Sequence, residues 1–243
     1  PPPARTTSQE TKKDMPKISA EDKNLTVLNI FTADAPEKQE GLLGAMREIV
    51  DSAAYPGWMS STVHAGVDKP GTANFIQWRS RADLEDRYNA EEFEHRTLPL
   101  FGELTTSIRL LQNEIVYSRS ASGDRVDISP ARGDYTVIAV FGVEEKNQDE
   151  LVDALGPSME FLSDVPGFVS HTVLKGIAAR GLEGSFVISY SQWENKEAWD
   201  AYQAVPQGDR PAVRQDAERR TGSLLTSVDS NTYQVVHTRT AGQ

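Results

Sequence analysis

"YPGWMSSTVHAG", residues 55–66, returns as "VPGFVSHTVLKG", residues 165–176. Pro56-Gly57 falls on Pro166-Gly167 at an offset of 110 residues. The same offset carries "LTVLNIF" (25–31) onto "YTVIAVF" (135–141), whereas "NFIQW" (74–78) meets "SYSQW" (189–193) at 115. The extra residues fall in the loop "IAARGLEG" (177–184), where an insertion costs little. Self-similarity at a fixed offset marks a duplicated structural unit. The chain therefore reads as one fold written twice.

Each copy has the same order of elements. A strand comes first. "APEKQEGLLGAMREIVDSAA" (35–54) is an amphipathic helix, with Asp34 placed to cap it. Its counterpart opens on "NQDE" (147–150), a capping box of Asn147 with Glu150, and Pro157 is expected to kink that helix or make it irregular. The Pro-Gly turn then leads into a strand at about Met59–Val67, a loop, and the strand that carries Gln77 and Trp78. Ser80 with Asp83 caps the next helix. A further helical stretch is expected from about Ala90 to Leu111, broken near Pro99. "EIVYS" (114–118) and "TYQVVHT" (232–238) close the copies as strands.

That order is β-α-β-β-α-β, the ferredoxin-like arrangement. The fold class is α+β, with domains at 24–118 and 135–240. The join, 119–134, bears Gly, Ser and Pro and reads as a linker; residues 1–23 are polar and proline-rich and read as a disordered tail. The first strand is apolar on both sides, so both faces of its sheet should be covered. Two sheets packed sheet to sheet would do this, as an intramolecular pseudo-dimeric α/β barrel. The 16-residue join also allows copies to pair between chains, and a further homodimer is compatible with the sequence.

The formal charge of −11 argues against a nucleic-acid partner, which needs a basic stripe. No apolar run approaches the roughly 20 residues that span a bilayer, and no polybasic segment is present for anionic lipid. The first residues have no apolar signal-peptide core, so a cytoplasmic protein is expected. The chain has no cysteine, which excludes disulfides, thiolate nucleophiles and thiolate metal sites. Its four histidines show no metal-ligand spacing, and no metal is expected.

"TANFIQW" (72–78) places Asn74 and Trp78 on one face of a strand that otherwise looks buried. Asn29 is a second asparagine inside a strand, flanked on its own face by Val27 and Phe31. In the ferredoxin-like order the first strand pairs with the strand of Asn74, so the two carboxamides can approach each other. A buried Asn is usually a satisfied structural residue. Trp78 has a repeat partner in Trp193, which argues for packing, and the shared Gln77 and Gln192 suit backbone bonding.

"LNIF", "STVHAG" and "TANFIQW" together resemble the antibiotic biosynthesis monooxygenases, and among them the cofactor-free anthrone and naphthacenone oxygenases of aromatic polyketide pathways. Those are dimeric α/β barrels with an Asn in the first strand and an Asn four residues before a strand Trp. Asn29, Asn74 and Trp78 match that pattern and are the catalytic candidates. The second copy has Ala139 and Ser189 at the asparagine positions and keeps Trp193, so its site is expected to be degenerate. Some members carry a Tyr six residues after the Trp, where this chain has Leu84; Arg96 does not align with a family pocket arginine. His64 matches a histidine of some relatives.

The resemblance implies a cofactor-independent monooxygenase that oxidises an anthrone-like aromatic polyketide to a quinone, with molecular oxygen as co-substrate. The asparagines would stabilise an enolate in the oxyanion-hole manner, and Trp78 would serve a peroxide intermediate. The base stays open between His64, solvent and an Asn-assisted water. Val27, Phe31, Ile76, His64, Phe93 and Phe101 are the expected substrate wall. Two alternatives compete. One is a non-catalytic polyketide binder or cyclisation partner. The other is haem degradation, which needs a helix Trp and a histidine ligand where this chain has Arg87 and Thr97, with His95 nearby.

Overall fold

The computed structural model describes residues 15–123 and 125–243. Both Pro-Gly turns are type II. The Trp58 amide donates to the Tyr55 carbonyl at 3.1 Å, and the Phe168 amide to the Val165 carbonyl at 3.1 Å. Gly57 and Gly167 sit at φ +79° and +81°, as the third residue of such a turn requires. A Cβ at either position would lie 2.3 Å from Asp83 or Ala198. Each turn thus seats the start of a strand against the start of a helix, in the same way in both copies.

The first copy runs β1 (Lys17–Ile18), β2 (Leu25–Thr32), α1 (Pro36–Ser52), β3 (Trp58–Gly66), β4 (Gly71–Trp78), α2 (Arg81–Asn89), a π-helical turn (Phe93–Thr97), α3 (Leu98–Leu104) and β5 (Ser107–Ser120). After β6 (Val126–Asp127) the second runs β7 (Tyr135–Val143), α4 (Gln148–Leu155), a 3-10 stretch (Pro157–Asp164), β8 (Phe168–Arg180), β9 (Ser185–Trp193), α5 (Lys196–Ala204), α6 (Ala212–Leu224) and β10 (Leu225–Thr240). Eight strands close a barrel in the order β10-β3-β4-β2-β5-β8-β9-β7. This is the expected α+β, ferredoxin-like pseudo-dimeric barrel. Its seams are hydrogen-bonded: β5 pairs with both β2 and β8, and β10 with both β7 and β3. Closure leaves none of the eight with a free edge.

The two-residue period of the strands sorts their side chains into two layers. Leu28, Ile30, Phe75, Ile138, Ile188 and Tyr190 meet inside the barrel. Val27, Phe31 and Trp78 point outward and pack with Leu42, Met46 and Val50 of α1. Among the described residues no helix is long and apolar enough to cross a membrane.

Several local expectations are corrected. Asp34 does not cap α1; the cap is Ala35, and Asp34 pairs with Lys38 at 3.0 Å. Asn147 makes no cap bond, because a 3-10 turn (Glu145–Asn147) enters α4 and denies it the extended backbone a cap uses. Ser80 does cap α2, accepting from the Asp83 amide at 3.2 Å. The third helix of the first copy ends at Leu104, and Ser107–Leu111 belong to β5, where pairing with β2 decides the conformation. Pro99 sits in the first turn of α3, where its missing N–H is no loss. Pro157 stands where α4 gives way to the 3-10 stretch, as expected.

Residues 1–14 of the expected tail lie outside the described residues. Residues 17–18 are not a loose tail: they pair with β6, inside the expected linker. Ile18, Val126 and Ile128 are fully or almost fully buried in the barrel core. The mean polarity of both segments hides these three apolar side chains.

Candidate active site

Asn29 and Asn74 are direct partners across β2 and β4, and Trp78 faces Leu25 at the start of the same pair. Opposed Cβ atoms in such a ladder lie about 5 Å apart. All three side chains are buried on the outer face of the sheet. They line one pocket, roofed by α1, α2, the π-helical turn and α3, with about 660 Å³ of atom-free space, mouth included. Its wall is apolar and aromatic. The rings of Phe31 and Phe101 are 4.8 Å apart, Tyr88 stacks on Phe93 at 4.8 Å, and Tyr55 lies 6.4 Å from Trp78.

Five buried polar atoms of this wall have no protein partner: Asn29 Oδ1, Asn74 Oδ1, Trp78 Nε1, Arg87 Nη1 and the Tyr88 hydroxyl. Leaving such a group unpaired costs about 1–3 kcal/mol, so their gathering in one apolar pocket marks a place where a ligand completes the bonding. Trp58, in the same wall, is by contrast paired: its indole donates to Ser61 Oγ at 2.9 Å. A carboxamide offers both a carbonyl and an NH2, so each Asn can turn either toward a ligand.

Arg87 supplies the charge. It is buried, and among the described residues no carboxylate forms an ion pair with it. Its guanidinium lies 4.2 Å from the Tyr55 ring centre and 5.0 Å from that of Phe93, so ring faces take the place of a counter-ion. Burial pushes the Tyr88 phenol up to about 12 against the pull of Arg180 and Arg87, and it raises Tyr55 as well. Both phenols are therefore neutral near neutral pH. The wall contains no Asp, Glu or His.

Phe31, Ile76, Phe93 and Phe101 line the pocket; Val27 packs in the same layer but does not reach it. His64 is a correction. It points to the opposite face of the sheet, sealed inside the barrel, where its Nε2 lies 2.7 Å from the Tyr190 hydroxyl and its Nδ1 3.2 Å from the Ala73 carbonyl. Burial lowers its pKa to about 4. Parity along β3 is the reason: Ser61 and Val63 face the helices, so His64 cannot. His95 and Arg96 are exposed. Gln77 is structural, accepting from Ser60 at 2.6 Å and donating to the Lys17 carbonyl at 2.9 Å.

Sequence reasoning does not single out Arg87 and Tyr88 as site residues. Their signal is present: Leu84, Arg87 and Tyr88 fall at i, i+3 and i+4 on the buried stripe of α2, and an arginine on an apolar stripe is a buried charge in need of a partner. Tyr88 stands one helical turn beyond Leu84, on the same face.

Comparison with known proteins gives the family. The model of the antibiotic biosynthesis monooxygenase family matches residues 134–222, which lie in the second copy. A solved structure described as an anthrone oxidase-like protein is 59% identical, covers 94% of this chain and 98% of its own, and superposes with a TM-score of 0.92. Tetracenomycin-F1 monooxygenase of Streptomyces glaucescens is 35% identical over 80 residues, 32% of this chain and 67% of that protein. A major regulator of staphylococcal pathogenesis shares the fold at 9% identity, with a TM-score of 0.51 over 87% of this chain and 99% of its own.

Proposed function

The chain belongs to the antibiotic biosynthesis monooxygenase family, and from that premise we propose that its first copy oxidises an anthrone-like aromatic polyketide to a quinone with molecular oxygen, needing neither metal nor flavin. The observation that carries this reading is the convergence of unpartnered polar atoms of Asn29, Asn74, Trp78 and Tyr88 around an unpaired Arg87 in an aromatic pocket, where each carboxamide can turn its NH2 toward a ligand. An apolar slot suits a flat polycycle. Donors and a cation suit the oxyanion of its enolate, and they are worth most where water is excluded.

The chemistry balances as one methylene and one O2 giving one carbonyl and one water. Loss of a methylene proton gives the enolate, held by the two carboxamides and Arg87. With no acid or imidazole in the wall, the pocket promotes ionisation by lowering the pKa of the substrate, and water at the mouth takes the proton. The enolate passes one electron to O2, and the radical pair joins as a C–O–O⁻ peroxide. Trp78 Nε1 and the Tyr88 hydroxyl are the donors to that peroxide. The peroxide takes up a proton from water to give C–O–OH; loss of the remaining C–H proton then forms C=O as the O–O bond breaks and hydroxide leaves, to be protonated to water.

The haem reading finds no ligand here. Arg87 and Thr97 stand at the positions in question, and the wall holds no histidine. The test is oxygen uptake by metal- and flavin-free protein with a simple anthrone, beside Asn74→Ala. Uptake matched by quinone and lost in the variant supports the proposal. Saturable binding without uptake overturns it in favour of a polyketide binder.

A further inference from the structure

The second copy has its own helix-side cavity, with about 870 Å³ of atom-free space, mouth included. It sits where the first copy has its pocket. Ala139 opposes Ser189 across β7 and β9 as Asn29 opposes Asn74. His171 is paired with Ser191 as Ser61 is with Ile76, so a histidine stands where the first copy has a serine. Trp193, Trp199 and Tyr202 supply a clustered aromatic wall, with ring centres 5.1–5.9 Å apart.

The polar equipment differs between the two. In the first copy the Trp78 indole is free; in the second, Trp193 Nε1 donates to Ser191 Oγ at 3.3 Å. In the first copy Arg87 is unpaired; here the buried Arg214 is neutralised by Glu218 at 2.6 Å and donates to the Tyr202 carbonyl at 3.0 Å. Among the side chains that line the second cavity is an imidazole with a bare acceptor. His171 is buried, and its Nε2 lies 2.7 Å from the Leu155 carbonyl. A carbonyl can only accept, so Nε2 carries the proton and Nδ1 keeps a bare lone pair. That Nδ1 is buried and has no partner. Burial lowers the pKa of this imidazole, which keeps it neutral.

We infer that this cavity is a second small-molecule site, which takes a neutral planar hydroxyaromatic through a hydrogen bond from its phenolic O–H to Nδ1 of His171. An oxyanion is disfavoured here, since the cavity presents a lone pair to it and no free cation. The site therefore binds the un-ionised phenol and performs no oxidation. It does not depend on the function proposed for the first copy.

The probe is 2-naphthol, with 2-methoxynaphthalene as the analogue that cannot donate. Binding is followed by NMR on protein labelled with 15N-histidine, the His171 signals being assigned by their loss in His171→Gln. The expected result is a saturable displacement of the His171 Nδ1 resonance by 2-naphthol. The methoxy analogue, followed on the His171 ring protons, should bind about tenfold more weakly or worse. His171→Ala should remove this site and leave catalysis by the first copy unchanged. No saturable displacement, or equal binding of the two naphthalenes, overturns the inference. Both binding measurements use the unmutated site, so they decide the matter even if His171→Ala fails to fold. Neither requires the first copy to be active.

Discussion

Asn74 and Arg87 make opposite demands on the molecule. Asn74 is a carboxamide whose partner is proposed to be the developing oxyanion. Asn74→Ala should lower kcat by about 10²–10³-fold, the range for removing one such donor, in steady-state oxygen uptake with an anthrone. Arg87 is a buried charge held by two ring faces instead of a carboxylate. Replacing an unpaired buried ion by a group of similar shape relieves desolvation. Arg87→Met should therefore raise the thermal midpoint while lowering kcat/KM at least about tenfold. A variant that loses both stability and activity would mark Arg87 as a structural residue. From sequence, Asn29, Asn74 and Trp78 are legible because strand parity and the family resemblance agree. Arg87 and Tyr88 are easily passed over because a short charged helix draws attention to its solvent face.

At the scale of elements, the Pro-Gly turns do the positioning. Gly57 carries a left-handed φ and lies against Asp83, in the first turn of α2, the helix that delivers Arg87 and Tyr88 to the pocket. Gly57→Ala meets both the backbone penalty and the side-chain clash, and should cost about 2 kcal/mol or more in chemical denaturation. It should also weaken substrate binding, since the entry of α2 must shift. Ser80→Ala, which removes only the cap, should cost about 1 kcal/mol. The π-helical turn Phe93–Thr97 is not foreseeable from the sequence. A π turn widens the helix by one residue, and here both its ends, Phe93 and Thr97, face the pocket. Composition carries no signature for that register; packing on Tyr88 and the sheet sets it.

At the scale of the whole molecule, the two copies are joined through His64 and Tyr190, one from each, in the middle of the barrel. Burial holds His64 at about 4 in the folded state, against about 6.5 in the unfolded chain. As pH falls below about 6.5 the unfolded chain takes up the proton first, so stability falls, and it levels off once the folded form protonates near 4. His64 should cost about 2 kcal/mol between about pH 7 and about pH 5, with His171 shifting the same way. Denaturation midpoints across that range check this, and His64→Gln should flatten the slope. Arg180, on β8 of the second copy, lies 4.7 Å from the Tyr88 ring of the first site. Arg180→Ala should thus lower kcat/KM modestly, by a few-fold, although it lies in the other half of the chain.

Duplication, the ferredoxin-like order and the asparagine pair are local or periodic properties. They can be read from residue types at fixed spacing, since a two-residue strand period and a Pro-Gly turn leave a pattern in one dimension. Which face His64 takes, how β5 and β10 weld the copies, and why Ile18 is buried depend on partners about a hundred residues away. The asymmetry of the two cavities has the same origin. The free indole and guanidinium in one, against their paired counterparts and a free imidazole nitrogen in the other, follow from which polar atoms find partners, and that pairing exists only after the barrel has closed.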